Sequence, residues 1–414
     1  MLDIDGHRLD FLTVNESCYS SCLEERDLKM PPVRHVLLLA SQYALAYRGL
    51  RCFHAAGFRV SVMGTKRSKP LSRSRFIEAF VLAKNEFVAT TSELLVGEIN
   101  DTVARLGVDM VAAADTPALK ALIANKAALE ARCFPCPEAS QHGILDNKGA
   151  FRALCQAEGV RIPRGFVVED AGSIVPEIEN CQMEWPVMLK PLAMEGGRGV
   201  VRVEKGKINS ALESLAYGTV LVEEFVPGTD VGISVYCEAG EIKASVCHRL
   251  EAGIYRVLPI PELENAVSRI LKKLNCSGIY NFDARLEEDG RTFLLECNPR
   301  FYNKMCLTLL AGLNLPEFAV SAQHLPGTPA RTVAYTPDAI VSAVLTSGRI
   351  PRGAAADAKF WMSDPVMLLY EMLRIPEELR SDTSGYAVFL VSRAAALLRR
   401  SRNSTNSPTK LGQW

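Results

Sequence analysis

The feature that most constrains the fold is an apolar run, Val36 to Ala40, which two further segments of regular pattern follow. Apolar residues at helical spacing occupy Ala44 to Ala56, and Arg59 to Met63 then alternates between polar and apolar residues as a strand does. A strand, a helix and a second strand in succession predict a parallel sheet with crossover helices. A predicted helix over Ser92 to Leu106 and a strand over Val108 to Ala113 continue the pattern. We therefore expect an α/β domain in this part of the chain.

The composition of the 414-residue chain is typical of a folded, soluble protein. Hydrophobic residues make up 48% and charged residues 23%, which excludes a wholly disordered or collagen-like chain. The 47 basic residues balance the 47 acidic ones, so the charge indicates no particular partner, and we expect no nucleic-acid partner. No run reaches the roughly 18 uncharged apolar residues of a membrane span. The 12 irregularly spaced cysteines and the lack of a signal-peptide pattern predict a cytoplasmic protein with reduced thiols.

A glycine-rich turn follows a lysine in the middle of the chain. A predicted strand ends at Lys190, and the turn after it contains Gly196, Gly197, Arg198 and Gly199. Glycines allow backbone N–H groups to approach an anion closely, and a neighbouring lysine adds positive charge. The pattern lacks the Gly-Lys-Ser/Thr ending of a P-loop and does not open a helix as a dinucleotide fingerprint does. An ordinary hairpin turn is the alternative interpretation.

Two acidic residues lie on a predicted β-hairpin nearer the C-terminus. Asp283 belongs to one strand candidate and Glu296 to the next, and Asn298 and Arg300 follow closely. The two carboxylates can face each other across an antiparallel ladder. Two carboxylates and an amide oxygen suit Mg²⁺, which prefers oxygen ligands, and an arginine can bind a phosphate or carboxylate in a bidentate manner. Ordinary surface carboxylates on a hairpin are the alternative.

A third segment lies between the first two in the chain. A predicted strand over Thr219 to Phe225 runs into the turn Val226-Pro227-Gly228, and Asp230 follows two residues later. A strand that leaves one lobe and turns into another offers free backbone groups to the edge of an adenine. An acid shortly afterwards can accept hydrogen bonds from ribose hydroxyls. Taken alone, this segment is only a strand and a turn.

In this order, the segments resemble the ATP-grasp superfamily, above all its carboxylate–amine ligases such as D-alanine–D-alanine ligase, and also biotin carboxylase. The residues that carry the resemblance are Lys148, Lys190 with its glycine turn, Glu223, Asp230, Asp283, Glu296, Asn298 and Arg300. The resemblance is strong over residues 147–320 and weaker over residues 34–122. Each motif is modest by itself, and the ordered set is specific.

The resemblance implies an α/β fold in which an N-terminal Rossmann-like pre-ATP-grasp domain precedes a two-lobed α+β ATP-grasp fold. It also implies a division of the chain. The expected parts are an N-terminal extension (1–32), the Rossmann-like domain (33–130), a linker and small lobe (131–225), a large lobe with the metal site (226–325) and a C-terminal extension (326–414). From about residue 326 the pattern is irregular until a predicted helix over Tyr386 to Arg402, with a disordered tail after it.

The resemblance further implies a nucleotide site. Lys148 and Lys190 would hold the α- and β-phosphates of ATP, and the turn from Gly196 to Gly199 would close over the β- and γ-phosphates. The remaining contacts would go to the nucleoside: Glu223 and the backbone of Glu224, Phe225 and Val226 to adenine, and Asp230 to the ribose.

The implied metal site and reaction follow from the same family. Asp283, Glu296 and Asn298 would bind two Mg²⁺ or Mn²⁺ ions, and Arg300 would face the transferred phosphate or the acceptor carboxylate. In this family a substrate carboxylate attacks the γ-phosphate of ATP, and an amine then captures the acyl phosphate. The resemblance thus implies a ligase for a small-molecule carboxylate and an amine. Transfer to a thiol, a hydroxyl or bicarbonate, or a non-catalytic ATP-binding regulatory protein, are the alternatives, and a homodimer is a further expectation.

Two positions depart from the family pattern. Asp230 stands where relatives usually carry the longer Glu. Asn281 stands two residues before Asp283, where D-alanine–D-alanine ligases place an arginine. Another cation must then face the acyl phosphate, and we nominate Arg249 as a catalytic residue. Both departures bear on which acceptor the resemblance implies, and not on the expected nucleotide binding.

Basic residues are concentrated in two segments without acids. Leu28 to Ile77 contains ten Lys and Arg but no Asp or Glu, and Thr383 to Trp414 contains five. We hypothesise that the first segment steers an anionic substrate towards the ATP site. The second includes the predicted C-terminal helix, which either packs on the body of the protein or makes a peripheral contact with an anionic membrane surface.

Overall fold

The structure, a computed structural model, describes residues 34–192, 199–213, 218–320 and 327–373. Its first sheet has five parallel strands in the order β3-β2-β1-β4-β5. These strands are β1 (His35–Ala40), β2 (Arg59–Gly64), β3 (Phe80–Leu82), β4 (Met110–Ala113) and β5 (Arg132–Cys133). The central strand β1 is buried along its whole length, because its apolar run lies between helices on both faces of a parallel sheet. The predicted α/β architecture of this region is confirmed.

Three helices belong to this sheet: α1 (Tyr43–Ala55), α2 (Glu93–Leu106) and α3 (Thr116–Asn125). Ser92 caps α2 by accepting a hydrogen bond from the backbone of Leu95, and Gly107 ends it in the left-handed conformation. The buried Asp115 caps α3 and also accepts a 2.7 Å hydrogen bond from the Ser41 hydroxyl. The start of α3 is therefore tied to the end of β1.

The segment expected to form a linker and small lobe (131–225) contains a helix near its start. Helix α4 (Ala139–Asp146) leads directly into α5 (Lys148–Ala157). A capping box starts α4, in which the side chain of Gln141 accepts a 2.8 Å hydrogen bond from the backbone of Glu138. The sequence pattern did not predict this helix, because α4 is too short to show a clear helical period.

The second sheet is antiparallel and has four strands in the order β6-β9-β7-β8. They are β6 (Gly165–Val168), β7 (Val187–Pro191), β8 (Val201–Val203) and β9 (Val220–Glu224). The short helices α6 (Ile174–Asn180) and α7 (Ile208–Glu213) cover one face. Ile174, Ile208 and Val222 belong to the core that this packing buries.

The third sheet is antiparallel and has six strands in the order β14-β13-β10-β11-β12-β15. They are β10 (Thr229–Glu238), β11 (Glu241–Glu251), β12 (Ile254–Val257), β13 (Gly278–Leu286), β14 (Thr292–Asn298) and β15 (Val333–Tyr335). Helix α8 (Pro261–Leu274) packs its apolar side, including Ile270, against Ile233 and Phe282. Because side chains alternate along a strand, Asn281 and Asp283 face the side of the sheet away from α8.

The end of the predicted large lobe contains two helices, and the described residues beyond it contain three where the sequence pattern predicts irregular structure. The helices are α9 (Met305–Leu310), α10 (Leu315–Phe318), α11 (Pro337–Ser347), α12 (Ala355–Met362) and α13 (Pro365–Leu373). The prediction of an irregular region was wrong, because these helices are mostly short and pack mainly against one another and α1. The predicted helix from Tyr386 to Arg402 and the tail lie outside the described residues, and the domain boundaries stay predictions. No helix in the described part of the chain is long and apolar enough to cross a membrane.

Candidate active site

A cavity of about 610 Å³ lies between the four-stranded and the six-stranded sheet. Residues from β7, β9, β10, β13 and β14 line it, together with Lys304. Seven of the residues predicted from the sequence are in its wall: Lys190, Glu224, Phe225, Val226, Asp230, Asp283 and Glu296. The tertiary structure thus brings all three sequence segments to one place.

Asp283 and Glu296 face each other directly across the β13–β14 ladder, and a β-bulge follows Asp283. Burial raises the pKa of Asp283 above its ordinary value. The ammonium of Lys304, 3.7 Å away, opposes this rise, whereas the Glu296 carboxylate adds to it. In the described part of the chain no group of three His, Cys, Asp or Glu residues is placed to hold a metal ion.

Lys148 is the first residue of α5, a helix that packs against β14. Its side chain is 8% exposed, and Nζ lies 2.9 Å from Oε2 of Glu296. Asn147 caps the helix by accepting a hydrogen bond from the backbone of Ala150. The cap defines where α5 begins, and it therefore helps to position the Lys148 side chain beside Glu296.

Asn298 and Arg300 form a short chain of hydrogen bonds at the end of β14. The Asn298 amide donates to Oδ2 of Asp283 at 3.1 Å, and its oxygen accepts from Nη2 of Arg300 at 3.1 Å. Nε of Arg300 donates to the Thr116 hydroxyl, at the start of α3, at 2.9 Å. Arg300 is 8% exposed and does not line the large cavity. In this structure Arg300 orients Asn298, and the predicted contact with a phosphate stays a prediction.

Buried ion pairs with Glu223 hold the ammonium of Lys190 in position. Glu223 is 2% exposed, and its two oxygens accept hydrogen bonds from Lys190 at 2.6 Å and from Arg152 at 3.1 Å. The Glu223 side chain thus faces these two cations, and Glu223 is not among the residues that line the cavity. Sequence reasoning missed Arg152, although it lies four residues after Lys148 on the same face of one helix.

The turn between β9 and β10 is held by one arginine that sequence reasoning also missed. Arg285 donates to the backbone oxygen of Val226 at 3.0 Å and to Asp230 at 2.7 Å. The Phe225 ring lies beneath the guanidinium groups of Arg202, at 4.2 Å, and Arg285, at 5.3 Å. Arg285 could have been found from its position two residues after Asp283, which places both on one face of β13.

Part of the predicted glycine-rich turn is outside the described residues. This applies to Gly196, Gly197 and Arg198. Gly199 is described and has a φ of 74°, a left-handed conformation that favours glycine. The expectation that this turn closes over phosphates stays a prediction.

The structure does not bring Arg249 to the carboxylate pair. His248 hydrogen-bonds Ser234 on the same side of the sheet as Asp283, so its neighbour Arg249 lies on the other side. Arg249 instead forms an ion pair with Glu251 at 3.2 Å. The cation that does face Asp283 is Lys304, which precedes α9 and lines the cavity. No spacing rule in the sequence singles out Lys304.

His248 is fully buried beside this site. Burial lowers its pKa well below the ordinary value, and the nearby Lys304 ammonium lowers it further. Its imidazole is therefore uncharged at neutral pH, and it packs against the Tyr255 ring at a centroid distance of 4.9 Å. The positive charge opposite Asp283 thus comes from Lys304 and not from the histidine.

Comparisons with known proteins agree with this arrangement. Residues 217–346 match a family described as ATP-grasp in the biosynthetic pathway with Ter operon. The vancomycin B-type resistance protein VanB of Enterococcus faecalis is 24% identical over 216 residues, which are 44% of this chain and 61% of that protein. A D-alanine–D-alanine ligase of Pelotomaculum thermopropionicum is 25% identical over 181 residues, 37% of this chain and 57% of the ligase. The chain therefore spans about three fifths of the length of these relatives.

A comparison with solved structures also finds an enzyme of similar fold. The biotin carboxylase of Campylobacter jejuni superimposes with a TM-score of 0.55 and 17% sequence identity, over 70% of this chain and 72% of that one. Both proteins therefore share the arrangement of an α/β domain followed by two antiparallel sheets. The family match over residues 217–346, the related ligases and this fold together support the assignment of the chain to the ATP-grasp superfamily.

Proposed function

We propose that this protein is an ATP-dependent ligase that activates a small-molecule carboxylate as an acyl phosphate and joins it to an amine. The observation that carries the proposal is the carboxylate pair of Asp283 and Glu296, in which each acid has a lysine ammonium beside it. Phosphoryl transfer needs positioning and charge neutralisation more than covalent participation by the protein. Lys148 and Lys304 place two positive charges at the carboxylate pair, and Lys190 adds a third in the wall of the same cavity.

In this proposal the nucleotide lies between the two antiparallel sheets. Lys148 and Lys190 hold its phosphates, and the backbone of residues 224–226 contacts the adenine edge. Asp230, whose side chain is 83% exposed, is available to the ribose hydroxyls although it also bonds Arg285. Glu223 acts by holding the Lys190 ammonium in place, since both of its oxygens are used by cations.

The residues present fit a magnesium site. Asp283 and Glu296 offer carboxylate oxygens in the wall of a cavity large enough for phosphate and water, which complete the shell of Mg²⁺ in most proteins. To join them, Asn298 would have to turn its amide oxygen towards the ion and give up its present hydrogen bonds with Asp283 and Arg300. When bound, Mg²⁺ would neutralise charge on the phosphates and on the transferred group.

The proposed reaction has two steps. A carboxylate oxygen of the substrate attacks the γ-phosphorus of ATP, the bond to the β-phosphate oxygen breaks, and ADP leaves. The nitrogen of an amine then attacks the acyl carbon, phosphate leaves, and the nitrogen loses one proton as the amide forms. Lys304 is placed to stabilise negative charge near Asp283, the role for which the sequence pattern nominated Arg249. The names of the two relatives, a D-alanine–D-alanine ligase and a resistance protein, support ligation but do not identify the substrates.

The test is Mg²⁺-dependent release of ADP and phosphate from ATP by the full chain, with carboxylic acids supplied alone and together with amines. Release that requires both an acid and an amine supports the proposal. A Glu296→Gln variant should bind ADP but release phosphate roughly a hundredfold more slowly or worse, whereas Glu288→Gln, an exposed change on the same hairpin, should behave as the wild type.

Other outcomes identify the alternatives. If release of ADP and phosphate requires an acid together with a thiol, an alcohol or bicarbonate, the acceptor is that group and not an amine. Stabilisation by ATP without turnover for any acid would favour a regulatory nucleotide-binding protein. A homodimer and a membrane contact by the C-terminal helix stay predictions, for sedimentation and vesicle binding to examine.

A further inference from the structure

A row of three buried polar side chains extends from Asp283 into the six-stranded sheet: Asn281, Ser234 and His248. Asn281 donates from Nδ2 to Oδ1 of Asp283 at 3.3 Å, and its own oxygen accepts a 3.0 Å hydrogen bond from the Ser234 hydroxyl. Nε2 of His248 lies 3.1 Å from the same hydroxyl oxygen. Asn281 is 4% exposed, and Ser234 and His248 are fully buried. None of the three lines the cavity between the antiparallel sheets, so their polar groups act on Asp283 and not directly on a ligand.

The strand register places the row on one face of the sheet. Ser234 on β10 lies directly opposite Asn281 on β13, and His248 on β11 lies opposite Gly232. Gly232 makes room for the imidazole, because a Cβ at this position would lie 2.8 Å from Cε1 of His248. Burial of these polar groups would be costly if they had no partners. The glycine therefore allows the histidine to reach Ser234 inside the sheet.

The carboxylate at one end of the row determines the direction of the hydrogen bonds. An ionised carboxylate only accepts, so the Asn281 amide turns its nitrogen to Asp283 and its oxygen to Ser234. The single proton of the Ser234 hydroxyl is then used on the Asn281 oxygen. Nε2 of His248 must therefore supply the proton of the last hydrogen bond. It follows that the uncharged imidazole carries its proton on Nε2.

Asp283 is held by two asparagine amides that differ in their freedom to turn. Asn281 donates to Oδ1 and Asn298 donates to Oδ2. If Asn298 turns its oxygen towards a bound ion, it releases Oδ2. Asn281 has no comparable freedom, because Ser234 holds its oxygen in the interior of the sheet. Asn281 therefore continues to hold Oδ1 when Oδ2 is released.

We propose that Ser234 and His248 are positioning residues for the metal site. Through the amide of Asn281 they hold Asp283 in the orientation in which it binds Mg²⁺. Outer hydrogen bonds orient the ligands of a metal, and loss of such a partner costs about 10–100-fold in metal affinity or activity. The inference rests on the metal site of the proposed function, whereas the order of protons in the row can be measured without a metal.

The first experiment measures metal binding without turnover. The affinity of the full chain for Mn²⁺ is determined by electron paramagnetic resonance with ADP present, and Mn²⁺ bound to free ADP is counted separately. The affinity for ADP is measured again in the presence of EDTA. We expect Ser234→Ala to weaken Mn²⁺ binding about tenfold or more and to leave metal-free ADP binding nearly unchanged. Equal Mn²⁺ affinity in a folded Ser234→Ala protein and in the wild type would overturn the proposal.

The matched control is Ser61→Ala. Ser61 is also fully buried on a strand, and its hydroxyl oxygen lies 2.9 Å from Nε2 of a buried histidine, His35. This pair belongs to the five-stranded sheet and not to the row behind Asp283. We expect Ser61→Ala to bind Mn²⁺ as the wild type does, even where both alanine variants lose stability. An equal loss of Mn²⁺ affinity in the two variants would reveal a general structural effect and contradict the positioning role.

Two variants of His248 test the same role if Ser234→Ala does not fold. His248→Gln keeps an N–H donor near the position of Nε2, whereas His248→Leu removes the donor and keeps apolar bulk. We expect His248→Leu to weaken Mn²⁺ binding about tenfold and His248→Gln to stay close to the wild type. The same loss in both variants would point to packing of the ring and would overturn the proposal.

A further measurement needs no metal. Nitrogen NMR of the metal-free full chain, labelled at histidine, reports which ring nitrogen of each imidazole carries the proton. The signals of His248 are those that disappear in His248→Gln. We expect them to show a proton on Nε2. A proton on Nδ1 alone would reverse the hydrogen bond to Ser234 and overturn the proposed order.

The two proposals can fail separately. If the wild type binds no Mn²⁺ with ADP, the metal site of the proposed function is wrong, and the positioning role is wrong with it. If Mn²⁺ binds equally well to the wild type and to the Ser234 and His248 variants, the metal site stands and the positioning role does not. If the variants lose Mn²⁺ affinity as expected but no acid and amine pair gives ADP and phosphate, the positioning role stands and the ligase function is wrong.

Discussion

The ammonium of Lys148 lies 2.9 Å from a carboxylate oxygen of Glu296. The two residues are 148 positions apart in the chain. Lys148 begins a helix, and Glu296 lies on the strand ladder that carries the proposed metal site. The lysine that is expected to hold a phosphate is therefore the ion-pair partner of an acid that is expected to hold the metal. Phosphate and metal binding should be energetically coupled through this contact.

We expect Glu296→Gln to lower kcat/KM by roughly a hundredfold or more, because it removes one charge from the carboxylate pair and the partner of Lys148. Steady-state phosphate release and the ADP dissociation constant are the measurements. Since Glu296 is on a β-strand and partly exposed, the unfolding midpoint should change little. Activity in a folded Glu296→Gln protein comparable to that of Glu288→Gln would contradict the assignment.

A change at Lys304 should affect the rate more than nucleotide binding. Lys304→Met removes the ammonium 3.7 Å from Asp283, so charge that develops during transfer is no longer compensated. We expect kcat to fall at least about tenfold, with ADP affinity nearly unchanged and partial recovery in Lys304→Arg. Lys243→Met, an exposed change on β11, is the control and should match the wild type. An equal loss in Lys304→Met and Lys304→Arg would point to packing and not to charge.

The buried group of Glu223, Lys190 and Arg152 should be sensitive to removal of its acid. Glu223→Ala leaves two largely buried cations without a counter-ion, and breaking such a pair costs about 3–5 kcal/mol. We expect the free energy of unfolding in urea to fall by an amount in this range. Glu241→Ala, which breaks an exposed pair with Lys272, should cost less than about 1 kcal/mol. Similar losses in the two variants would show that the buried group is not a stabilising element.

Gly165 is required by the close approach of β6 and β9. A Cβ at this position would lie 2.2 Å from the backbone oxygen of Val222 and 2.9 Å from Cγ of Glu223. We expect Gly165→Ala to destabilise the protein by at least about 2 kcal/mol, because the backbone oxygen cannot move aside without opening the ladder. Gly206→Ala, at an exposed position with open space around it, is the matched control. Chemical denaturation of both variants tests the difference.

Buried thiols should make the protein less stable at alkaline pH. Burial raises the pKa values of Cys136 and Cys276 from about 9 to about 11. Between these pH values the unfolded chain loses thiol protons that the folded chain keeps, so the free energy of unfolding falls as pH rises. The slope is at most about 1.4 kcal/mol per pH unit for each thiol.

Cys276→Ala should reduce this slope, whatever it does to stability at neutral pH. Cys181→Ala, a change at an exposed thiol, should leave the slope as it is in the wild type. Urea unfolding at a series of pH values between 8 and 11 gives the slope. A slope in Cys276→Ala equal to that of the wild type would contradict the expected protonation of the buried thiol.

The segment from Leu28 to Ile77, which contains no acidic residue, shows that basic residues in the sequence need not form a charged surface. Arg48 and Arg51 belong to it, but they lie largely inside the protein. Arg51 is 3% exposed and donates to the Tyr47 hydroxyl and to the backbone of Phe360. These two residues therefore join α1 to the C-terminal helices, and any steering of an anionic substrate must come from the other basic residues of the segment.

The sequence by itself predicted the parallel sheet, several strands of the other two sheets and the ordered set of candidate site residues. Apolar runs and alternation are local properties, so β1 and the hairpin that carries Asp283 and Glu296 could be predicted from them. The ordered motifs also sufficed to identify the superfamily.

Only the tertiary structure decided which cations face which acids. Lys304 and Arg152 have no distinctive spacing, and Arg249 was misplaced because a shift of one residue along a strand moves a side chain to the other face of the sheet. A cavity of about 380 Å³ also arises where α1 meets helices that are distant in the chain, so no local pattern could predict it. Local patterns specify elements and motifs, whereas burial and long-range packing determine the charge pairs and cavities in which the chemistry is expected to occur.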